Sequence, residues 1–122
     1  MQRNPSLIRD ILISVEDTVT YSVTWHYRRN TLIPDPLTMY SHDEILYHVS
    51  QCEDAELICG VKYSDAGDWI DISDLTPVGH DFLANIRNDT VWKAIKEKAA
   101  NASLTILTAL AQSEALKYFG LS

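Results

Sequence analysis

The chain has 122 residues, of which 46% are hydrophobic and 22% are charged, and its formal net charge is −7. This length is that of one domain, and this composition excludes an intrinsically disordered chain. The negative charge disfavours non-specific binding to nucleic acid or to an anionic membrane.

A helix is predicted near the start of the chain. Asn4 followed by Pro5 places a capping side chain before a proline at the first helical position. Apolar residues then recur at helical spacing from Leu7 to Val15. We expect this helix to end near residues 16–18.

Strong β-forming residues alternate with polar residues over residues 19–27, which predicts a strand. Tyr21, Trp25 and Tyr27 share one face of that strand. We expect this face to join the core, and the alternative is an aromatic patch that binds a partner. Residues 31–40 contain two prolines and predict a connecting loop.

A second helix and a β-hairpin are predicted in the middle of the chain. Ser41 and Glu44 stand three residues apart and fit a capping box, which predicts a helix over residues 41–55. Apolar residues in 57–63 and in 69–75 then flank a short Ser-Asp-Ala-Gly turn. This pattern predicts two antiparallel strands joined as a hairpin.

Three more helices are predicted after the hairpin. Thr76 before Pro77 repeats the cap-plus-proline signal, and a further helix is expected after residues 88–90. The last helix has few charges and a wide apolar stripe, which must be buried either on its own domain or on a second copy, as a homodimer. The stripe consists of Leu104, Leu107, Leu110, Ala111, Ala115 and Tyr118.

The order helix, strand, helix, hairpin, helix predicts an α+β fold: one winged-helix-like domain over residues 1–122, with a helical extension over about 89–122. Several segments resemble a family of small bacterial and prophage proteins known as hypothetical proteins with a domain of unknown function. The resemblance implies a winged-helix fold and a bacterial or phage origin, and it implies no particular reaction. It rests on residues 7–12, 40–49, 75–83 and 86–92.

One feature of the helix order argues against insertion into a DNA groove. A standard helix-turn-helix has two short helices before the wing. Here only the helix at 41–55 lies between the first strand and the hairpin. We expect the missing helix to have shrunk into the proline-containing loop.

No catalytic residue, metal ligand or cofactor site is predicted. His48 and Cys52 share a helix face at a spacing that can hold half of a metal site, but we expect a core histidine beside a reduced core thiol. His80 is expected to be buried or half-buried and bonded to backbone. Trp69 and Trp92 lie in apolar patterns and are predicted to be core residues. Without a signal peptide or a long apolar run, the protein is expected in the cytoplasm.

Acidic residues are concentrated in residues 35–81, which contain eleven Asp or Glu and one basic residue, Lys62. Proteins bind DNA phosphates mainly through Lys and Arg. The net charge of −10 over this stretch therefore argues against DNA binding. We therefore predict a non-enzymatic protein-interaction or regulatory module, acting as an inhibitor or a nucleic-acid mimic; the simpler reading is a solvated wing. The candidate partner-binding residues are Asp43, Glu44, Glu53, Asp54, Asp65 and Asp68.

The alternative function is a DNA-binding transcriptional regulator of a prophage or mobile element. Such a regulator would use basic residues outside the acidic helix. Residues 87–98 have a net charge of only +2, which is modest for a DNA footprint. The candidate nucleic-acid contacts are Arg28, Arg29, Arg87, Lys93 and Lys96.

Overall fold

A computed structural model describes residues 1–99 and 101–120. This part of the chain forms an α+β fold with five α-helices and five short strands, in the predicted order. The helices are α1 (Pro5–Thr18), α2 (His42–Asp54), α3 (Pro77–Ile86), α4 (Asp89–Ala99) and α5 (Leu104–Tyr118). The strands are β1 (Trp25–Arg28), β2 (Ile58–Cys59), β3 (Lys62–Ser64), β4 (Trp69–Ile72) and β5 (Asp74–Leu75).

The first three helices begin where the sequence predicts. The side chains of Asn4, Ser41 and Thr76 each accept a hydrogen bond from a backbone N–H in the first turn of α1, α2 and α3. Glu44 completes the capping box, because its carboxylate accepts from the Ser41 N–H at 3.0 Å. Local capping chemistry therefore sets these three boundaries.

The five strands form one interrupted hairpin with β1 added at its side. β3 pairs antiparallel with β4, and β2 pairs with β5 in the same register further from the turn. β1 pairs antiparallel with β4, giving the strand order β1-β4-β3. The inner face of this sheet contributes Trp25, Tyr27, Ile70 and Ile72 to the core, all at most 1% exposed.

α1 lies at the centre of the fold. It contacts α2, α3, β1 and β5, so its apolar stripe is covered from several sides. Such complete burial of apolar side chains is the main stabilising term of a domain of this size. The stripe consists of Leu7, Ile8, Ile11, Leu12 and Val15, each 0–1% exposed.

The predicted strand over residues 19–27 is too long. The backbone of Thr20 and Val23 closes a turn, with the Thr20 N–H 2.9 Å from the Val23 carbonyl. This turn leaves Tyr21 fully exposed, so its predicted core position is wrong. Trp25 and Tyr27, which follow in β1, are buried as predicted.

Trp69 was predicted to be a core residue and is instead 46% exposed. Side chains alternate along β4, and Ile70 and Ile72 occupy the inner face. Trp69 must therefore point outward from the sheet. Trp92, on α4, is buried as predicted.

The proline-containing loop carries one turn of 3₁₀ helix, Leu37–Met39. Leu37 is fully buried, and this turn contacts α1. This turn lies in the loop into which the missing helix was expected to have shrunk. Within the described chain, this loop contains one helical turn and no longer helix.

The apolar stripe of α5 is buried within the same chain. Leu104, Leu107, Ala111 and Ala115 are at most 8% exposed, and α5 contacts α3 and α4. Tyr118, which was predicted to belong to this stripe, is exposed. Among the described residues, no helix has both the length and the apolarity needed to cross a membrane.

Candidate functional site

One acidic residue of the hairpin, Asp71, is paired with two residues of β1. On the outer face of the sheet, Asp71 accepts from His26 Nδ1 at 2.6 Å and from the Arg28 guanidinium at 3.1 Å. These bonds, that of His26 first, lower the pKa of the Asp71 carboxyl. The Arg28 guanidinium also lies 4.6 Å from the centre of the Trp69 ring.

Asp68, near the hairpin turn, is also paired. Its carboxylate lies 3.4 Å from the Arg29 guanidinium and 3.5 Å from His42 Nε2. The sequence count of −10 over residues 35–81 therefore overstates the local field, because cations from outside that stretch fold against it.

His80 is exposed and its ring contacts carboxylates, so the prediction of a buried or half-buried histidine bonded to backbone is wrong. Its Nδ1 lies 3.4 Å from Glu16, and its Nε2 lies 3.7 Å from Asp74. This histidine joins the end of α1 to β5 at the surface. No nucleophile is part of this group of three residues.

An acidic groove, with a volume of about 440 Å³, runs between the outer face of α2 and β3. Its carboxylates, Asp43 and Glu53, come from opposite ends of α2. The Tyr63 hydroxyl donates to Glu53 at 3.1 Å, and burial raises the pKa of Tyr63. Within the described residues, the groove is lined by Met1, Asp43, Leu46, Tyr47, Ser50, Glu53 and Tyr63, with no Lys or Arg.

The other four predicted acidic residues lie around this groove or have structural roles. Glu44 belongs to the capping box, and its bonds with Ser41 lower its pKa. Asp54 is exposed at the end of α2, and Asp65 lies in the hairpin turn with a φ of 51°. Asp68 is engaged in the pairs described above.

The hairpin turn packs beside the groove. The Leu46 methyl groups lie 3.1–3.3 Å from the point where a Cβ on Gly67 would stand. Sequence reasoning missed Leu46, Tyr47 and Tyr63 as groove residues. The sequence shows Tyr47 and Tyr63 near acidic residues. It does not show that α2 and β3, which carry these tyrosines, lie side by side, because their contact depends on tertiary packing.

The structure does not bring the predicted basic residues together. Arg28 ends β1, Arg29 follows it, and both are paired with carboxylates of the hairpin. Arg87, after α3, lies 2.8 Å from Asp17. Lys93 and Lys96 are on α4 and line a different cleft.

His48 and Cys52 lie in the core, as predicted. His48 Nε2 accepts from the Asn4 N–H at 2.7 Å, and Nδ1 donates to the Glu44 carbonyl at 2.7 Å, so both ring nitrogens are occupied. Burial raises the pKa of Cys52 to about 12, which leaves an unreactive thiol. Within residues 1–99 and 101–120, no three His, Cys, Asp or Glu side chains are arranged so that they could hold a metal ion.

Thr24, His26 and Asp71 form a hydroxyl–imidazole–carboxylate series. The Thr24 hydroxyl lies 3.2 Å from His26 Nε2, and His26 Nδ1 lies 2.6 Å from Asp71. All three residues are on the open outer side of the sheet, where Thr24 and His26 are exposed.

Comparisons with known proteins place the chain among bacterial relatives. Residues 2–105 match a family described as "Hypothetical protein (DUF2513)". The chain belongs to the DUF2513 family. An uncharacterised protein of Haemophilus influenzae is 35% identical over 118 residues, which cover 93% of this chain and 94% of the relative. No solved structure gives a significant match.

In this DUF2513 chain, residues 75–83, which supported the resemblance, have a structural role. Thr76 caps α3, and its hydroxyl donates to the Glu56 carbonyl at 2.5 Å. A Cβ on Gly79 would lie 2.0 Å from the Leu57 carbonyl oxygen, so α3 approaches the hairpin too closely for a side chain. These contacts fix the start of α3 on the hairpin.

Proposed function

We propose that this protein is a non-enzymatic interaction module that binds a basic segment of a partner protein in the bacterial cytoplasm. The acidic groove carries this proposal. Asp43 and Glu53 stand at its two ends, and Leu46, Tyr47 and Tyr63 supply apolar surface between them. A Lys or Arg side chain has an apolar stem and a cationic head, which match these two kinds of lining.

We further propose that the fold is a winged-helix variant with a regulatory role. The order α1, β1, α2 and hairpin supports this relation. In this variant, α2 presents carboxylates on its solvent face, where a DNA-reading helix would present basic residues. A surface with this charge suits an inhibitor that occupies the basic site of another protein, in the place of nucleic acid.

The DNA-binding regulator has less support from the geometry. Arg28, Arg29 and Arg87 are each paired with a carboxylate, so a phosphate would have to displace an existing partner. The counterion release that stabilises a DNA complex is reduced at a cation already neutralised by the protein.

The proposal is tested by fluorescence polarisation with a labelled Lys- and Arg-rich peptide. The groove variant combines Asp43→Asn with Glu53→Gln. The control variant combines Asp35→Asn with Glu97→Gln, which lie outside the groove and change the net charge equally. A matched peptide with glutamine at every basic position reports the contribution of charge.

We expect the groove variant to bind the basic peptide about tenfold more weakly, since two charge-assisted contacts are lost. The control variant should bind like the wild type, and affinity should fall as salt is added. If both variants bound the peptide equally weakly, general charge attraction would explain the binding, and the groove would be rejected as the site.

A further inference from the structure

A second cleft, with a volume of about 580 Å³, is lined by lysines, whereas the acidic groove is lined by carboxylates. This second cleft is formed by α1, the 3₁₀ turn and α4. Its size is in the range of sites that hold small organic molecules. The residues that matter for its chemistry are Asp10, Met39, Tyr40, Trp92, Lys93 and Lys96.

Arg9 also borders this cleft, but its guanidinium is committed to the fold. It donates to the backbone carbonyls of Ile86 and Arg87 at 3.0 and 2.8 Å and to the Asp89 carboxylate at 2.9 Å. These bonds tie α1 to the corner between α3 and α4. The charges of Arg9 and Asp89 offset each other, which leaves the ligand-facing charge to other residues.

Two lysines supply that charge. Lys93 and Lys96 are three residues apart on α4 and so share one face of the helix. The Lys96 ammonium lies 5.8 Å from the centre of the Trp92 ring. Neither ammonium forms an ion pair with any residue that the structure describes, so both are open to an incoming anion.

The facing wall carries a half-buried carboxyl group. The Tyr40 hydroxyl donates to Asp10 at 2.9 Å. Burial raises the pKa of Asp10, and burial together with the Asp10 carboxylate raises the pKa of Tyr40 to about 12. The carboxylate oxygens of Asp10 have lone pairs that this bond does not use, and these can accept a further hydrogen bond from a ligand. Met39, which is exposed beside this pair, adds apolar surface.

We propose that this cleft binds a small organic anion. Its acidic group lies between the Lys93 and Lys96 ammonium groups, and its apolar body rests on Met39 and the edge of Trp92. An N–H or O–H of the ligand donates to Asp10. This site is separate from the acidic groove in its residues and in the sign of its charge, so it does not depend on the proposed function.

The test uses two fluorescent probes that differ in charge. Anilinonaphthalene sulfonate is an aromatic anion with one N–H donor, and N-phenylnaphthylamine is its neutral counterpart. The cleft variant combines Lys93→Met with Lys96→Met. The control variant combines Lys62→Met with Lys117→Met, which removes the same charge from other exposed positions.

At low ionic strength, we expect the anionic probe to bind the wild type and the control variant, and to bind the cleft variant about tenfold more weakly. The neutral probe should not distinguish the three proteins. The Trp92 indole N–H resonance, assigned with Trp92→Phe, should shift only with the anionic probe. Circular dichroism confirms that each variant is folded.

Two results would overturn the proposal. One is anionic binding that is the same in the cleft and control variants, which would place the probe in another groove, such as the one between α3 and α5. The other is the absence of any shift at the Trp92 resonance at saturating probe.

Discussion

At Gly79, the fold depends on the absence of one methyl group. A Cβ at this position would lie 2.0 Å from the Leu57 carbonyl oxygen, which belongs to the backbone and cannot move alone. Within a helix, Gly→Ala normally stabilises by up to about 1 kcal/mol. Here we expect Gly79→Ala to lower the free energy of unfolding by at least about 2 kcal/mol, measured by urea denaturation.

Gly120→Ala is the matched control. Gly120 has a φ of 70°, and no atom of the described residues lies within 4 Å of its Cβ position. Only the cost of the left-handed backbone remains, about 1 kcal/mol. If Gly79→Ala stabilised the protein, the close approach of α3 to the hairpin would be refuted.

His48 makes the stability depend on pH. Its Nε2 accepts the Asn4 N–H, which requires the neutral ring, and burial lowers its pKa from 6.5. Between the lowered pKa and 6.5, the unfolded chain binds more protons at this residue than the folded chain. The contribution is therefore complete above 6.5 and is lost as pH falls through this window.

We expect the free energy of unfolding to fall on acidification below 6.5 and expect His48→Gln to remove this part of the slope. Urea denaturation over a series of pH values measures it. His80→Gln, at an exposed histidine, should retain the slope. An unchanged slope in His48→Gln would show that other groups cause the pH dependence.

At the scale of elements, α5 has an inner and an outer face. Leu107 is 1% exposed and packs within its own domain, whereas Ile106 is 55% exposed. We expect Leu107→Glu to cost more than about 3 kcal/mol, because it buries an unpaired charge. Ile106→Glu should change the free energy of unfolding by less than about 0.5 kcal/mol. Chemical denaturation compares the two.

The same pair of variants addresses the expected homodimer. The stripe from Leu104 to Ala115 is occupied within the chain, so a dimer through α5 needs its outward face. Light scattering should then show a wild-type dimer that becomes a folded monomer in Ile106→Glu. A monomeric wild type would refute a dimer at this helix.

The sequence predicted elements best where their signals are local. Asn4, Ser41 and Thr76 cap helices through bonds to residues two or three positions away, so three helix starts were correct. The length of β1 depends instead on its partner, β4, which is far along the chain. Alternation alone could not show that Tyr21 lies outside this pairing.

The candidate sites were less predictable, because charge pairing is set by tertiary structure. The sequence count treated Asp68 and Asp71 as free acids, whereas Arg28 and Arg29 reach them across β1 and β4. The sequence could not predict the cleft beside Lys96 either, because α1 and α4, which line it, are distant in sequence.

For the whole molecule, the arrangement of charge matters more than the net value of −7. The acidic groove and the Lys93–Lys96 cleft use different elements, and the three arginines considered for DNA contact are paired. Among the DNA candidates, Lys93 and Lys96 on α4 therefore have no carboxylate partner within the part of the chain that the structure describes. Two phosphate contacts give little affinity, since each adds only one released counterion.

We therefore expect no binding to random duplex DNA at physiological salt. A gel shift with increasing protein and a fluorescence assay at several salt concentrations measure it. Micromolar binding that weakens steeply with salt would support the regulator instead. In that case, Lys93→Met with Lys96→Met should abolish binding, whereas Asp43→Asn with Glu53→Gln should strengthen it by reducing repulsion. Opposite responses of these two variants would assign the DNA contact to α4.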